Sequence, residues 1–137
     1  MGFINLIVVH CSATRCNRSY TERDLTTKYL RRELSGAGYH YFIREDGDII
    51  SLSSKEKTGE CAEGCNANSI EICYEGGLDE HGDFADTRTD FQKHSLRVLV
   101  MLLLRDNPGS CLCGDCNLGF NASDILQEPP PPNPAYL

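Results

Sequence analysis

A near-continuous apolar run, Phe3-Ile4-Asn5-Leu6-Ile7-Val8-Val9, leads straight into His10. A strand with one wet face alternates polar and apolar side chains, so an unbroken run belongs in a sheet covered on both faces. That requirement points to an α/β domain, in which packed helices bury the sheet. The polar turn Cys11-Ser12-Ala13-Thr14 follows at once and leaves His10 at the end of a rigid strand. An imidazole held there suits a metal ligand or a general base, or it simply closes the strand by hydrogen bonding.

The rest of the chain fills in the other elements. Thr21-Glu22-Arg23-Asp24 has the look of a helix start, and Leu25, Tyr29, Leu30 and Leu34 recur at helical spacing up to Ser35-Gly36-Ala37-Gly38. Tyr39–Arg44 reads as a strand, Glu45-Asp46-Gly47 as its turn, and Asp48–Leu52 as the hairpin partner. Residues 53–68 form a long polar loop. Ser69-Ile70-Glu71-Ile72-Cys73-Tyr74-Glu75 alternates polar and apolar, which predicts another strand. Thr89 with Gln92 three residues on is a capping box, opening a helix that aligns Leu96, Leu99, Val100 and Leu103 on one face. Asn107-Pro108-Gly109 ends that helix, and Ser110–Cys113 predicts a last short strand. The expected architecture is a single α/β domain, a mixed central β-sheet flanked by helices.

A length of 137 residues suits one domain, residues 1–127, followed by a tail, 128–137, in which five prolines exclude helix and central strand. A net charge of −7 argues against nucleic acid or anionic membrane as a partner. No run approaches the ~18–20 apolar residues of a membrane span. The N-terminus lacks a basic region followed by an apolar segment, so the expected location is the cytoplasm, with any access to a cell wall needing lysis or another export route.

Eight cysteines without a secretory context favour free thiols, metal or redox chemistry over disulfides. Cys61-x3-Cys65 and Cys111-x-Cys113-x2-Cys116 are the clustered ones, and their spacing fits no zinc-finger pattern. Val98–Leu104 is apolar all round, unlike a helix with one wet face, so the tail covers it or Met101, Leu102 and Leu104 form a self-association or partner patch.

Several of these segments carry a family resemblance. Val8–Thr14, Gly38–Ile43, Glu45-Asp46-Gly47, Asn66–Ile70, Cys73–Gly77 and Thr87-Arg88-Thr89 with Gln92 together resemble the zinc-dependent N-acetylmuramoyl-L-alanine amidases, whose fold includes phage lysozyme-type amidases and peptidoglycan-recognition proteins. The resemblance implies a domain that hydrolyses the amide between muramic acid's lactyl group and the L-alanine of the stem peptide. It also implies a zinc ion held by two histidines and a cysteine or acid, with an open position.

Carried over residue by residue, the resemblance puts His10 on the first zinc ligand and Tyr39 on a tyrosine that assists near the metal. Asp115, in Gly114-Asp115-Cys116-Asn117, stands where the family has its second histidine. The family's third ligand and a helpful lysine would fall in Gln127–Asn133, which has neither thiol nor lysine. Two central-loop positions often held by histidine are Cys61 and Cys65. The expectation is therefore a rebuilt site, His10 and Asp115 joined by Cys61, Cys113 or Cys116, or a degraded one that keeps the cleft for a ligand. Ser12, Asn66 and Asn68 are expected to contact that ligand. The resulting reading is a muropeptide or similar small ligand bound without efficient turnover. Its alternatives are an active amidase, a cysteine-coordinated metal module built on Cys61, Cys65, Cys113 and Cys116, and a ligand-sequestering or protein-interaction role.

Overall fold

The computed structural model describes residues 4–16, 38–52 and 68–127. A five-stranded mixed sheet organises them, built from β1 (Leu6–Cys11), β3 (Tyr41–Ile43), β4 (Ile49–Ser51), β5 (Ser69–Tyr74) and β7 (Cys111–Gly114) in the order β4-β3-β5-β1-β7. Each neighbouring pair is parallel except β3 and β4, which form the expected hairpin. Leu6–Val9 of the apolar run thus lie in β1, between β5 and β7 in the sheet. Two short strands, β2 (Thr14–Arg15) and β6 (Gly77–Leu78), add a small parallel ladder beside it that no alternation in the sequence announces.

Register decides which side chains share a face. Ile7 pairs with Ile70 and Val9 with Ile72, so these four point to the side covered by α1 (Asp90–Asp106). There Leu96, Leu99, Val100 and Leu103 from the helix meet them, together with Tyr74, Ile43, Leu118 and Ile125, and all are buried. A short 3-10 helix, Ala122–Leu126, closes this layer by packing on α1 and β7. The capping box is present as expected: the Thr89 hydroxyl accepts from Gln92 N–H and the Gln92 side chain accepts from Thr89 N–H. Gly47 shows how tightly the helix start sits on the hairpin turn. Its φ is +88°, and a Cβ there would lie 2.9 Å from Phe91 Cβ and 3.0 Å from Phe91 O.

The opposite face starts from Val8, which pairs with both Glu71 and Cys113, and from His10, which pairs with Cys73. Phe42, Leu52 and Cys73 form a second, smaller apolar cluster there, with Tyr39 and Ile50 against it. β5 is buried along its whole length, Glu71 included, so its polar–apolar alternation is not a wet face. The helix expected from Thr21, the loop cysteines Cys61 and Cys65, Asn66 and the tail from 128 lie outside the described residues.

Candidate active site

His10 is the next-to-last residue of β1, and its ring stands between two carboxylates. Glu71, on the adjacent strand, places Oε1 2.7 Å from His10 Nε2. Asp115, in the turn after β7, places Oδ2 3.4 Å from His10 Nδ1. The backbone fixes both acids. Asp115 N–H donates to the carbonyl of Val9 at 2.9 Å, which continues the β1–β7 pairing one residue past the strand. Glu71 N–H donates to His40 Nδ1 at 2.9 Å, and His40 N–H donates to the carbonyl of Glu71 at 2.8 Å. Tyr39, just ahead of β3, lies against the His10 ring, with centroids 5.3 Å apart and planes tilted by 54°.

Electrostatics follow from this arrangement. Burial alone would lower the proton affinity of His10, but the hydrogen bond and charge of Glu71, then those of Asp115, outweigh it and raise the pKa. For Glu71 burial pulls upward, yet hydrogen bonds from His10 and Ser69 and the nearby histidine charges hold the carboxyl below its usual range. Asp115 is likewise held low against the pull of burial, by Asn117 N–H, the Cys116 thiol and His10. Burial pushes the Tyr39 phenol up to about 12, with Cys73 and Cys11 adding to the effect, so it keeps its proton at neutral pH. That hydroxyl is hydrogen-bonded to the fully buried Cys73.

The other expected residues separate. Ser12 is committed to the turn: its hydroxyl lies 2.8 Å from that of Thr14 and accepts from Gly76 N–H at 3.0 Å. Asn68 accepts from Asn5 N–H through its own carbonyl. Cys113 shares the His10 face beside Glu71, and burial followed by the charge of Glu71 raises its thiol pKa. Cys116 is exposed and hydrogen-bonds Asp115. All six described cysteines are free thiols. On α1, Met101 and Leu102 are half-exposed, at 50% and 42%, whereas Leu104 packs against the core.

Sequence reasoning missed Glu71 and His40. Glu71 reads as one polar step of an alternating strand, and only pairing on both sides of β5 buries it beside His10. The available signal was a lone acid flanked by Ile70 and Ile72, which needs a partner if the strand is central.

The donor set can be tested against zinc. Two ligands of a tetrahedral zinc at ~2.0–2.1 Å lie about 3.3–3.4 Å apart. The 3.4 Å between His10 Nδ1 and Asp115 Oδ2 matches that edge, so the pair fits the ion with two donors. Among the described residues, no group of three His, Cys, Asp or Glu side chains gathers closely enough to hold a metal.

Comparison with known proteins agrees with the architecture. Residues 2–110 match the family model described as N-acetylmuramoyl-L-alanine amidase. An endolysin of Enterobacteria phage T3 is 36% identical over 106 residues, spanning 77% of this chain and 70% of that protein. The endolysin of Escherichia phage T7 is 35% identical over the same length and shares. Among solved structures, the N-acetylmuramoyl-L-alanine amidase LysC from Clostridium intestinale superposes with a TM-score of 0.58 at 27% identity, covering 81% of this chain and 69% of that one. With four-fifths of its length matched by the family model and a mixed sheet of the same fold, this chain belongs to the N-acetylmuramoyl-L-alanine amidase family.

Proposed function

We propose that this chain recognises a muropeptide, the peptidoglycan fragment that carries the lactyl–L-alanine amide, at the His10 end of its sheet and turns it over inefficiently. The observation that supports this reading is the pair of carboxylates on one imidazole, Glu71 at 2.7 Å and Asp115 at 3.4 Å. Members of the family are generally zinc-dependent. Here His10 and Asp115 would hold the ion, which when bound polarises the scissile carbonyl. An aspartate brings a negative charge where an imidazole brings none, and Glu71 adds a second behind the ring. Both weaken the electrophilic pull on a carbonyl.

Recognition survives that loss because it rests on other groups. Tyr39 keeps its proton, and a carbonyl oxygen brought to His10 would take its hydroxyl over from the Cys73 sulfur. The Asp115 carboxylate, exposed at the sheet end, accepts from an N–H group of a stem peptide. The named relatives are endolysins, which makes peptidoglycan the ligand class to test first.

The test is calorimetric titration of a soluble N-acetylmuramoyl-tripeptide into the protein with and without zinc, followed by product analysis of the same sample. Saturable binding that Tyr39→Phe weakens, with the amide left intact over hours, agrees with the proposal. Stoichiometric release of free tripeptide within minutes refutes the inefficient turnover. No binding refutes the recognition.

A further inference from the structure

The two contacts of His10 are unequal, and the inequality has a chemical meaning. Charge-assisted N–H···O bonds run to about 2.7–2.9 Å, and ordinary N–H···O bonds to about 3.2 Å. Only the Glu71 contact, 2.7 Å at Nε2, falls in that range. The Asp115 contact, 3.4 Å at Nδ1, lies beyond it. A proton on Nε2 is therefore well placed, whereas Nδ1 is turned towards a carboxylate oxygen at a spacing that suits a cation between two donors. Glu71 is itself fixed, with its backbone N–H on His40 and its backbone paired with Val8 in the β5–β1 ladder. The carboxylate behind the ring is thus part of the sheet, not of a loop.

We infer that Glu71 is a positioning residue for His10: by accepting the Nε2 proton it sets the ring's tautomer and rotation, so that Nδ1 and Asp115 Oδ2 together form a divalent-cation site. A carboxylate behind a ligating histidine commonly raises metal affinity by orienting the ring and increasing its basicity. This inference rests on the reading above that His10 and Asp115 are the donors for zinc, and its test separates the two.

Zinc affinity is measured by competition with a chromophoric chelator for the wild type, Glu71→Gln, Glu71→Ala and His10→Ala, each checked for native circular dichroism. The wild type is expected to bind zinc in a manner that His10→Ala abolishes. Glu71→Ala should weaken it by about 10–100-fold, the usual effect of losing such a partner. Glu71→Gln keeps an acceptor oxygen behind the ring and should recover much of that loss. Long-range 1H–15N spectra of the zinc-loaded wild type supply a second readout, with the proton expected on Nε2 of His10.

Zinc lost in His10→Ala but held equally by Glu71→Ala overturns the role of Glu71 alone. A proton found on Nδ1 does the same. No zinc at all, or zinc that His10→Ala fails to remove, overturns the cation site together with the inference built on it.

Discussion

Gln92 ties the helix to the sheet, and its replacement should cost more than any other single polar change in the helix. The side chain is fully buried. Its oxygen accepts from Thr89 N–H at 3.0 Å, and its amide donates to the carbonyl of Glu75 at 2.8 Å and that of Ile43 at 3.4 Å. One residue thus binds the start of α1 to the ends of β3 and β5. Methionine has nearly the same unbranched shape, so Gln92→Met leaves little cavity and isolates the polar loss. Losing the cap partner costs about 1 kcal/mol. A buried carbonyl or N–H left without its partner costs about 1–3 kcal/mol. The sum, set against a small gain from the apolar side chain, is about 3 kcal/mol. With an m-value of about 2 kcal/mol/M, the urea midpoint falls by about 1.5 M.

The chain contains no tryptophan, so far-ultraviolet circular dichroism is the suitable probe of that unfolding. Thr89→Ala makes a useful partner, because the Thr89 hydroxyl accepts from Gln92 N–H at 3.1 Å and donates to the Glu45 carbonyl at 2.5 Å. The two substitutions share one bond network and should be less than additive in the double variant. A midpoint for Gln92→Met within about 0.3 M of the wild type would refute the claim that this network holds helix to sheet.

Three further outcomes are expected. In metal-free protein, the raised pKa of His10 stabilises the fold fully below its ordinary value of 6.5 and fades as pH climbs through the higher folded value. The lowered pKa values of Glu71 and Asp115 contribute fully above their ordinary 4.5 and 3.8 and fade as pH falls through the folded values. The stability gap between wild type and His10→Ala should therefore be widest between pH 4.5 and 6.5 and narrow as pH rises above that window; a constant gap in urea titrations would contradict this. Gly77→Ala, at φ +101° with its added Cβ driven into Cys11 Sγ, should lose about 2 kcal/mol or more in the same assay, and a neutral effect would show that β1 and β6 approach less closely. If Met101 and Leu102 mediate self-association, sedimentation at micromolar concentration should give a lower mass for Leu102→Glu than for the wild type, and equal masses would remove that surface from the account.

How much of this was legible depended on whether a signal was local. The interior place of β1 followed from its apolar run and the capping box from Thr89 and Gln92, because each is a local signal. Burial on both faces did not follow, since Ile7 and Val9 are buried while Leu6 and Val8 on the other face are half-buried. Pairing is not local. The alternation in Ser69–Glu75 gave the strand correctly, but its neighbours on both sides, β1 and β3, turned a supposed wet face into the seat of Glu71. The short 3-10 helix over Ala122–Leu126 has too few residues to show a period, and β2 and β6 are only two residues each. At the site, His10 and Tyr39 came from strand-end logic and family resemblance, and the structure brings them within ring contact. The clustering of Cys113 and Cys116 in sequence did not become a cluster with His10. Alternation sends Cys113 towards Glu71, while the turn leaves Cys116 exposed on Asp115.

Peptidoglycan sacculi offer the most direct test of the central claim, that an amidase-family site flanked by two carboxylates binds its ligand better than it cleaves it. Protein and sacculi are incubated with zinc and spun down, and stem peptides in the supernatant are counted. The account predicts protein in the pellet and stem peptides only slightly above those released with His10→Ala. Protein left in solution above a supernatant rich in free stem peptides would contradict it.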